Sequence, residues 1–307
     1  MKDDAEMATQ ELHGFLVIDK PKGMTSREAV NCVQDWFPRS RPGHAGTLDP
    51  LATGVLVVAL GKATRLLEYV QNMRKLYRAT IRLGARSVTD DAEGPVTPNP
   101  DAPPVSQDAL QAALAQFVGE IDQVPPAFSA VRVEGRRAWK AARRHQEVEL
   151  APRRVVIYRI ELLSYNWPRL DVEVECGRGT YIRSLARDLG ERLGVGGYVE
   201  ELCRQRVGPF RLEEAIALTV SPEEARAALR PLSDALVELP RLTLADSDRV
   251  QRLCQGQRLI LPTAFDGETA KWPSAGEVAV FDQRGQLVGV AHWDAATRQL
   301  APSKILR

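Results

Sequence analysis

Hydrophobic and polar positions along this chain fall into short blocks whose period switches between two and roughly three and a half, so strands and helices are mixed throughout. The clearest block is 76–83. There Tyr77, Ala79, Ile81 and Leu83 take one face and Arg78, Thr80 and Arg82 the other, which predicts a strand with one buried side. Further strands are predicted at 15–18, ahead of the turn Lys20-Pro21-Lys22-Gly23, and over the valine-rich run 51–60. Residues 155–167 and 170–176 read as the two arms of a hairpin. Helical spacing follows Thr25, which with Glu28 forms a capping box ahead of Ala29, Val30, Val33 and Trp36 on one side. Helices are also predicted at 62–73, from the cap Ser106 to Phe117, and over 181–193, where Leu185, Leu189 and Leu193 align before Gly194 stops the run. The Pro- and Asp-rich stretch 89–104 is expected to be an exposed connection. Past Pro231 and Pro240, which mark a domain boundary, 277–281 and 287–293 flank Asp282-Gln283-Arg284-Gly285 as a hairpin in a small β-rich module. The fold class is α+β.

At 307 residues the chain exceeds one small domain, and two domains are expected. Hydrophobic residues at 44% and charged residues at 26% are the balance of an ordinary globular protein. No apolar run approaches the roughly 18 residues of a membrane span, and the polar first residues lack a secretory signal, so a cytoplasmic protein without a membrane partner is expected. Cys32, Cys176, Cys203 and Cys254 are scattered, as are His13, His44, His145 and His292, so neither a disulfide framework nor a metal site is expected. Neither G-x-x-x-x-G-K-[ST] nor G-x-G-x-x-G is present, which removes the usual signatures of nucleotide hydrolysis and hydride transfer; no cofactor is expected. The net charge of +1 hides an uneven distribution. Between Arg132 and Arg159 nine basic residues face three acidic ones, and between Arg65 and Arg86 six face Glu68 alone. A single charge run is usually a solvated face, but two, with Tyr77 and Trp139 interleaved, point towards a phosphate backbone.

Candidate chemistry sits in the loop ahead of the second strand. Asp49 precedes Pro50, which biases it to an extended backbone and turns its side chain out of the loop. Gly43, Gly46 and Gly54 permit tight reversal and close approach of another molecule. Such turns are common, so the residues alone leave Asp49 either a turn cap or a reactive carboxylate. The whole segment Gly43-His44-Ala45-Gly46-Thr47-Leu48-Asp49-Pro50-Leu51-Ala52-Thr53-Gly54 resembles the signature loop of the pseudouridine synthases that modify the tRNA T-loop. This TruB-type family also includes guide-RNA-dependent archaeal and eukaryotic enzymes. The likeness runs from Lys20-Pro21-Lys22-Gly23-Met24-Thr25-Ser26 through Lys75-Leu76-Tyr77, Gln123-Val124-Pro125-Pro126 and Arg178-Gly179-Thr180-Tyr181-Ile182-Arg183 to Leu202, covering about 14–218 in the family's order.

The resemblance implies a pseudouridine synthase fold, with a central mixed, mainly antiparallel sheet flanked by helices and a small C-terminal PUA-like domain. It implies a polar tail at 1–13, a catalytic domain at 14–238 with an RNA-binding insertion at about 124–154, and the PUA-like unit at 240–307. The last match is the loosest. The implied reaction isomerises the T-loop uridine, conventional position 55, by base flipping and by cutting and rejoining the glycosidic bond. Asp49 matches the essential aspartate and Arg183 the arginine that pairs with it. Tyr77 matches the tyrosine on which the uracil stacks, His44 a histidine that fills space vacated in the T-loop, and Leu202 an apolar pocket wall. Lys20 and Pro21 match a motif that supports the active-site loop. The insertion supplies the RNA-contact candidates Arg132, Arg136, Arg137, Lys140, Arg143, Arg144, Arg153 and Arg154. The chain departs from the pattern at Trp139, where a tyrosine is usual, and at Arg132, where a lysine is common. The implied partner is the T-arm stem-loop of tRNA, bound by a monomer without an obligate protein partner. Two other readings stand beside this one: an RNA-binding tRNA folding factor with dispensable catalysis, and a guide-RNA-dependent enzyme.

Overall fold

The computed structural model describes residues 12–129, 132–133, 136–137, 150–262 and 272–307. The chain opens with β1 (Gly14–Lys20), α1 (Ser26–Trp36), β2 (Gly43–His44) and β3 (Thr53–Leu60), then a 3-10 turn (Gly61–Leu66) running into α2 (Leu67–Asn72). Next come β4 (Lys75–Leu83), β5 (Ala85–Ser87), β6 (Val96–Pro98), α3 (Gln107–Ala115), β7 (Gly119–Gln123), β8 (Arg132–Val133) and β9 (Arg136–Arg137). The hairpin β10 (Arg153–Asn166) and β11 (Arg169–Cys176) leads to α4 (Ile182–Arg192), β12 (Gly197–Val207), β13 (Phe210–Arg211) and α5 (Pro222–Ala227). The C-terminal part holds β14 (Arg241–Leu244), α6 (Ser247–Cys254), β15 (Leu259–Ile260), β16 (Ala275–Asp282), β17 (Leu287–Asp294) and β18 (Gln299–Ile305).

The central sheet has the order β1-β3-β12-β4-β11-β10-β7, with β2 beside β3 and β13 beside β12. Every pairing is antiparallel except β3 with β12, so the sheet is mixed and mainly antiparallel, as expected. The valine run of β3 is nearly continuous because both faces of this part of the sheet are covered. Leu56, Val58 and Leu60 face one core with Leu16 and Ile18; Val55, Val57 and Ala59 face a second with Phe15 and Val17. The β4 alternation holds: Tyr77, Ala79, Ile81 and Leu83 are buried. Thr25 caps α1 with the reciprocal Glu28 contact read from the sequence, and Ser106 caps α3.

A second, five-stranded sheet has the order β14-β16-β17-β18-β15. Its Ala279, Phe281 and Val290, with Leu306 just past β18, join the core formed by Phe15 and Val55. Polar contacts reinforce the junction: Tyr69 donates to Glu277 at 2.9 Å, Lys304 pairs with Glu68, and Arg65 donates to the Ile305 carbonyl.

Two expectations need correction. The helix expected at 62–73 is split into the 3-10 turn and α2. The stretch 89–104 is largely exposed, but Asp91 within it is only 2% exposed, because two arginines of α4 draw this acidic loop inward. Among the described residues no helix is long and apolar enough to cross a membrane.

Candidate active site

A cavity of ≈ 860 Å³ opens between the loop after β2, the far end of β12 and the start of α4. The loop is held from behind. Ser26, at the start of α1, accepts from the Leu48 amide at 2.8 Å and donates to the Leu48 carbonyl at 3.0 Å. Lys20 is wholly buried, and its Nζ donates to the carbonyls of Met24 at 2.6 Å, Pro21 at 2.9 Å and Pro50 at 3.4 Å. The Gly23 amide also donates to Pro50 O, at 2.8 Å. An ammonium shared by three carbonyls thus clamps the Pro21 turn against the Asp49–Pro50 turn. Burial lowers the Lys20 pKa to about 8. Pro21 itself is exposed and takes part through its backbone.

Asp49 emerges from this turn with its side chain one-third exposed into the cavity. Arg183, in the first turn of α4, donates from Nη2 to Asp49 Oδ1 at 3.0 Å. Its Nε lies 3.0 Å from Oδ2, an ion contact whose angle falls outside hydrogen-bond geometry. Arg183 is not the surface cation its place in an amphipathic helix would allow: only 4% of its side chain is exposed. The rest of the guanidinium is also used, Nη1 donating to Thr89 O at 2.9 Å and Nη2 to Phe128 O at 3.0 Å. Asp91 Oδ2 completes the set, 3.2 Å from Nη1. Burial pushes the Asp49 carboxyl above its ordinary range, while the Arg183 charge opposes the shift.

Sequence reasoning missed Asp91. The available signal was an acidic pair, Asp90-Asp91, facing Arg183 and Arg187 one helical turn apart. Asp91 is itself fixed by Thr89 Oγ1 at 2.6 Å and the Glu93 amide at 3.0 Å. The start of α4 is held by Gln123, whose amide accepts from Tyr181 N at 2.8 Å and donates to Tyr181 O at 3.0 Å.

Tyr77 and Leu202 line the same cavity from the neighbouring strands β4 and β12. Burial raises the Tyr77 phenol above its ordinary value, so it stays neutral. His44 lies at the cavity wall with its Nδ1 buried and unpartnered, and burial lowers its pKa, leaving the ring uncharged at neutral pH. The second missed residue is Arg204, on β12 and 1% exposed. It donates from Nε to Val55 O at 2.7 Å and from Nη2 to Gly46 O at 3.1 Å, tying the Asp49 loop to β3. Asp49, Arg183, Tyr77, His44 and Leu202 therefore meet at one cavity, with Lys20 and Pro21 behind it.

The basic set is only partly within reach. Lys140, Arg143 and Arg144, with Trp139, lie outside the described residues, and Arg132, Arg136 and Arg137 are described only as the backbone of the β8–β9 pair. Arg153 and Arg154 are exposed at the start of β10. Arg154 sits 3.8 Å from Glu120 and 3.9 Å from Asp122 on β7, so part of its charge is already answered.

Residues 34–182 match the model of the TruB family pseudouridylate synthase N-terminal domain, and 183–237 match that of the tRNA pseudouridylate synthase B C-terminal domain. A tRNA pseudouridine synthase B of Cereibacter sphaeroides is 40% identical over 300 residues, covering 96% of each chain. The chain belongs to the TruB family of pseudouridylate synthases. Another TruB relative, the tRNA pseudouridine synthase B of Ruegeria pomeroyi, is 43% identical and covers 92% of each chain. Among solved structures, an H/ACA RNP bound to a substrate RNA containing 2′-deoxyuridine matches with a TM-score of 0.72 at 25% identity, covering 99% of this chain and 87% of that one. A Cbf5-Nop10-Gar1 complex matches with the same TM-score, 0.72, at 27% identity, covering 98% and 86%. These TruB-type likenesses extend over both sheets and do not favour a folding factor with dispensable catalysis.

Proposed function

We propose that this TruB-family chain is a tRNA pseudouridine synthase that isomerises the T-loop uridine with Asp49 as its catalytic carboxylate. The observation that carries the reading is the Asp49–Arg183 pair at 3.0 Å on the wall of a cavity that also presents Tyr77 and Leu202. A uridine inside a folded loop must be everted to be reached, and an aromatic face beside an apolar side chain is a fitting receptor for the base. The reaction breaks the bond from N1 to C1′, turns the uracil, joins C5 to C1′, and moves the C5 proton to solvent while N1 gains one. Attack on carbon and removal of a ribose proton both start from an ionised carboxylate, the form that Arg183 favours. The RNA is bound by a monomer, with 14–238 as the catalytic unit and 240–307 as a PUA-like RNA-binding unit. The basic residues of 124–154 contact the phosphates of the T-arm.

The test is release of tritium from uracil C5 in an unmodified tRNA transcript. Asp49→Asn is expected to abolish release while leaving tRNA affinity within about threefold, since the buried donors keep an isosteric acceptor. Full turnover by that variant would remove Asp49 from the role.

A further inference from the structure

The cavity has two electrostatically different walls. On one, Arg183 is answered by two carboxylates, Asp49 and Asp91. On the other stand Arg204, Lys75 and Arg178, and none of these three is ion-paired to a carboxylate among the described residues. Arg204 and Lys75 are 1% and 7% exposed, so each has given up most of its hydration. Their protein partners are neutral oxygens only. Lys75 Nζ donates to Gln71 O at 2.7 Å and Met73 O at 2.6 Å, leaving one N–H of three. Arg178 Nη1 donates to Asn72 Oδ1 at 2.9 Å. Arg204 spends Nε on Val55 O and Nη2 on Gly46 O and also meets the Tyr77 hydroxyl, which leaves part of its five N–H donors unused.

Among the described residues no carboxylate forms an ion pair with this wall. Burial raises the Cys176 thiol to about 11, so it stays uncharged beside Lys75 and Arg204. Glu238 acts on Lys75 without making an ion pair. Gathering three cations around a partly dry space costs desolvation and mutual repulsion, which only an anion can offset. Carbonyls orient the donors but bring no charge.

We infer that Arg204, Lys75 and Arg178 form a phosphate subsite that takes a phosphodiester adjoining the target nucleotide of the RNA substrate. This rests on the reading of the cavity as the seat of an RNA-modifying enzyme, and it adds the nucleotide's orientation. The phosphate goes to the cationic wall because Asp49 and Asp91 repel it from the other. The ribose then turns towards Asp49, and the base lies between Tyr77 and Leu202. A guanidinium and an ammonium together suit a phosphodiester, the first as a planar fork and the second as a point charge.

The experiment uses T-arm stem-loops in which the linkage 5′ or 3′ to the target uridine is replaced, one at a time, by a neutral methylphosphonate. Binding is measured by fluorescence anisotropy for the wild-type chain, Arg178→Gln and Arg204→Gln. One of the two neutral linkages is expected to weaken wild-type binding about tenfold, as for loss of a charge-assisted hydrogen bond. The same replacement should cost each variant less than about twofold, because the partner is already gone. Equal losses in all three proteins, or no loss at either linkage in the wild type, would overturn the subsite. Arg178 lies on the exposed rim, so its arm of the cycle stands even where Arg204→Gln unfolds. Turnover of the unmodified stem-loop by the wild type is scored in parallel. Turnover without coupling removes the phosphate subsite alone, and binding without turnover removes the enzymatic reading.

Discussion

Arg183 reaches Asp49 through two nitrogens, Nη2 to Oδ1 and Nε to Oδ2, each 3.0 Å apart. The contact joins residues 134 positions apart, Nη2 as a hydrogen bond and Nε as an ion contact, and the two together orient the carboxylate.

A lysine at 183 would keep the charge and lose that planar fork. Arg183→Lys is expected to lower the single-turnover rate by at least about tenfold with the half-saturating tRNA concentration little changed, because orientation rather than binding is lost. Equal rates for the two proteins would show that the charge alone suffices.

The acid limb of the rate profile should also report this pair. Burial raises the Asp49 pKa above its ordinary 3.8, so turnover, which needs the ionised form, should rise with pH at values above the usual carboxylate range. Arg183→Met should move the limb higher still, since removing the guanidinium withdraws its support for the charged form. In stability the sign is reversed. Within the window above 3.8 the folded chain holds a proton that the unfolded chain has released, so this group's contribution to stability falls as pH rises. Asp49→Asn should flatten that part of a plot of Tm against pH. An acid limb at the ordinary carboxylate value would contradict both expectations.

Asp91 is expected to matter for stability and rate together. Its carboxylate is 3.2 Å from Arg183 Nη1, with both side chains under 5% exposed, and Asp91→Ala strips a buried guanidinium of one of its two anions. A loss of about 3 kcal/mol in chemical denaturation is expected, with a lower single-turnover rate as Arg183 loses its second anchor. A variant unchanged in both would detach Asp91 from the site.

Gly54 lies where β3 meets β12, at φ 92°, and a Cβ there would fall 2.4 Å from Arg204 O and 2.9 Å from Cys203 Sγ. Gly54→Ala should cost upwards of about 3 kcal/mol, because two backbones must part. Gly23 provides the comparison: its φ is 83° but nothing lies within 4 Å of an added Cβ, so Gly23→Ala should cost only about 1 to 2 kcal/mol. Equal shifts in Tm for the two variants would refute the packing account.

Much of this architecture was legible in the pattern of residues because local rules and tertiary contacts agree. β4 alternates cleanly since one edge of each residue pair faces the core, and the caps at Thr25 and Ser106 form where their side chains can close on the next turn. β12 was not legible, although it carries Leu202 and Arg204. Irregularities between Val199 and Glu201, and again between Arg204 and Arg206, break its two-residue period, and a buried arginine takes a position where an apolar side chain is expected. Asp49, Arg183, Tyr77, His44 and Leu202 were found only through resemblance to a known signature. Asp91 escaped because loop composition marks a stretch as exposed and says nothing of one acid turned inward by a distant helix. The cationic wall escaped for a related reason, since Lys75, Arg178 and Arg204 come from three separate strands and turns.

The parallel contact of β3 with β12, Thr53 against Cys203 and Gly54 against Arg204, has a consequence for how the chain acquires activity. Its ends must close a loop of some 150 residues, the kind of entropically expensive step that slows folding and comes after local hairpins have formed. Until that closure, the aspartate and its arginine belong to separate pieces of chain. Recovery of turnover during refolding should therefore lag behind the return of β-sheet circular dichroism, so that catalysis serves as a clock for the last long-range contact.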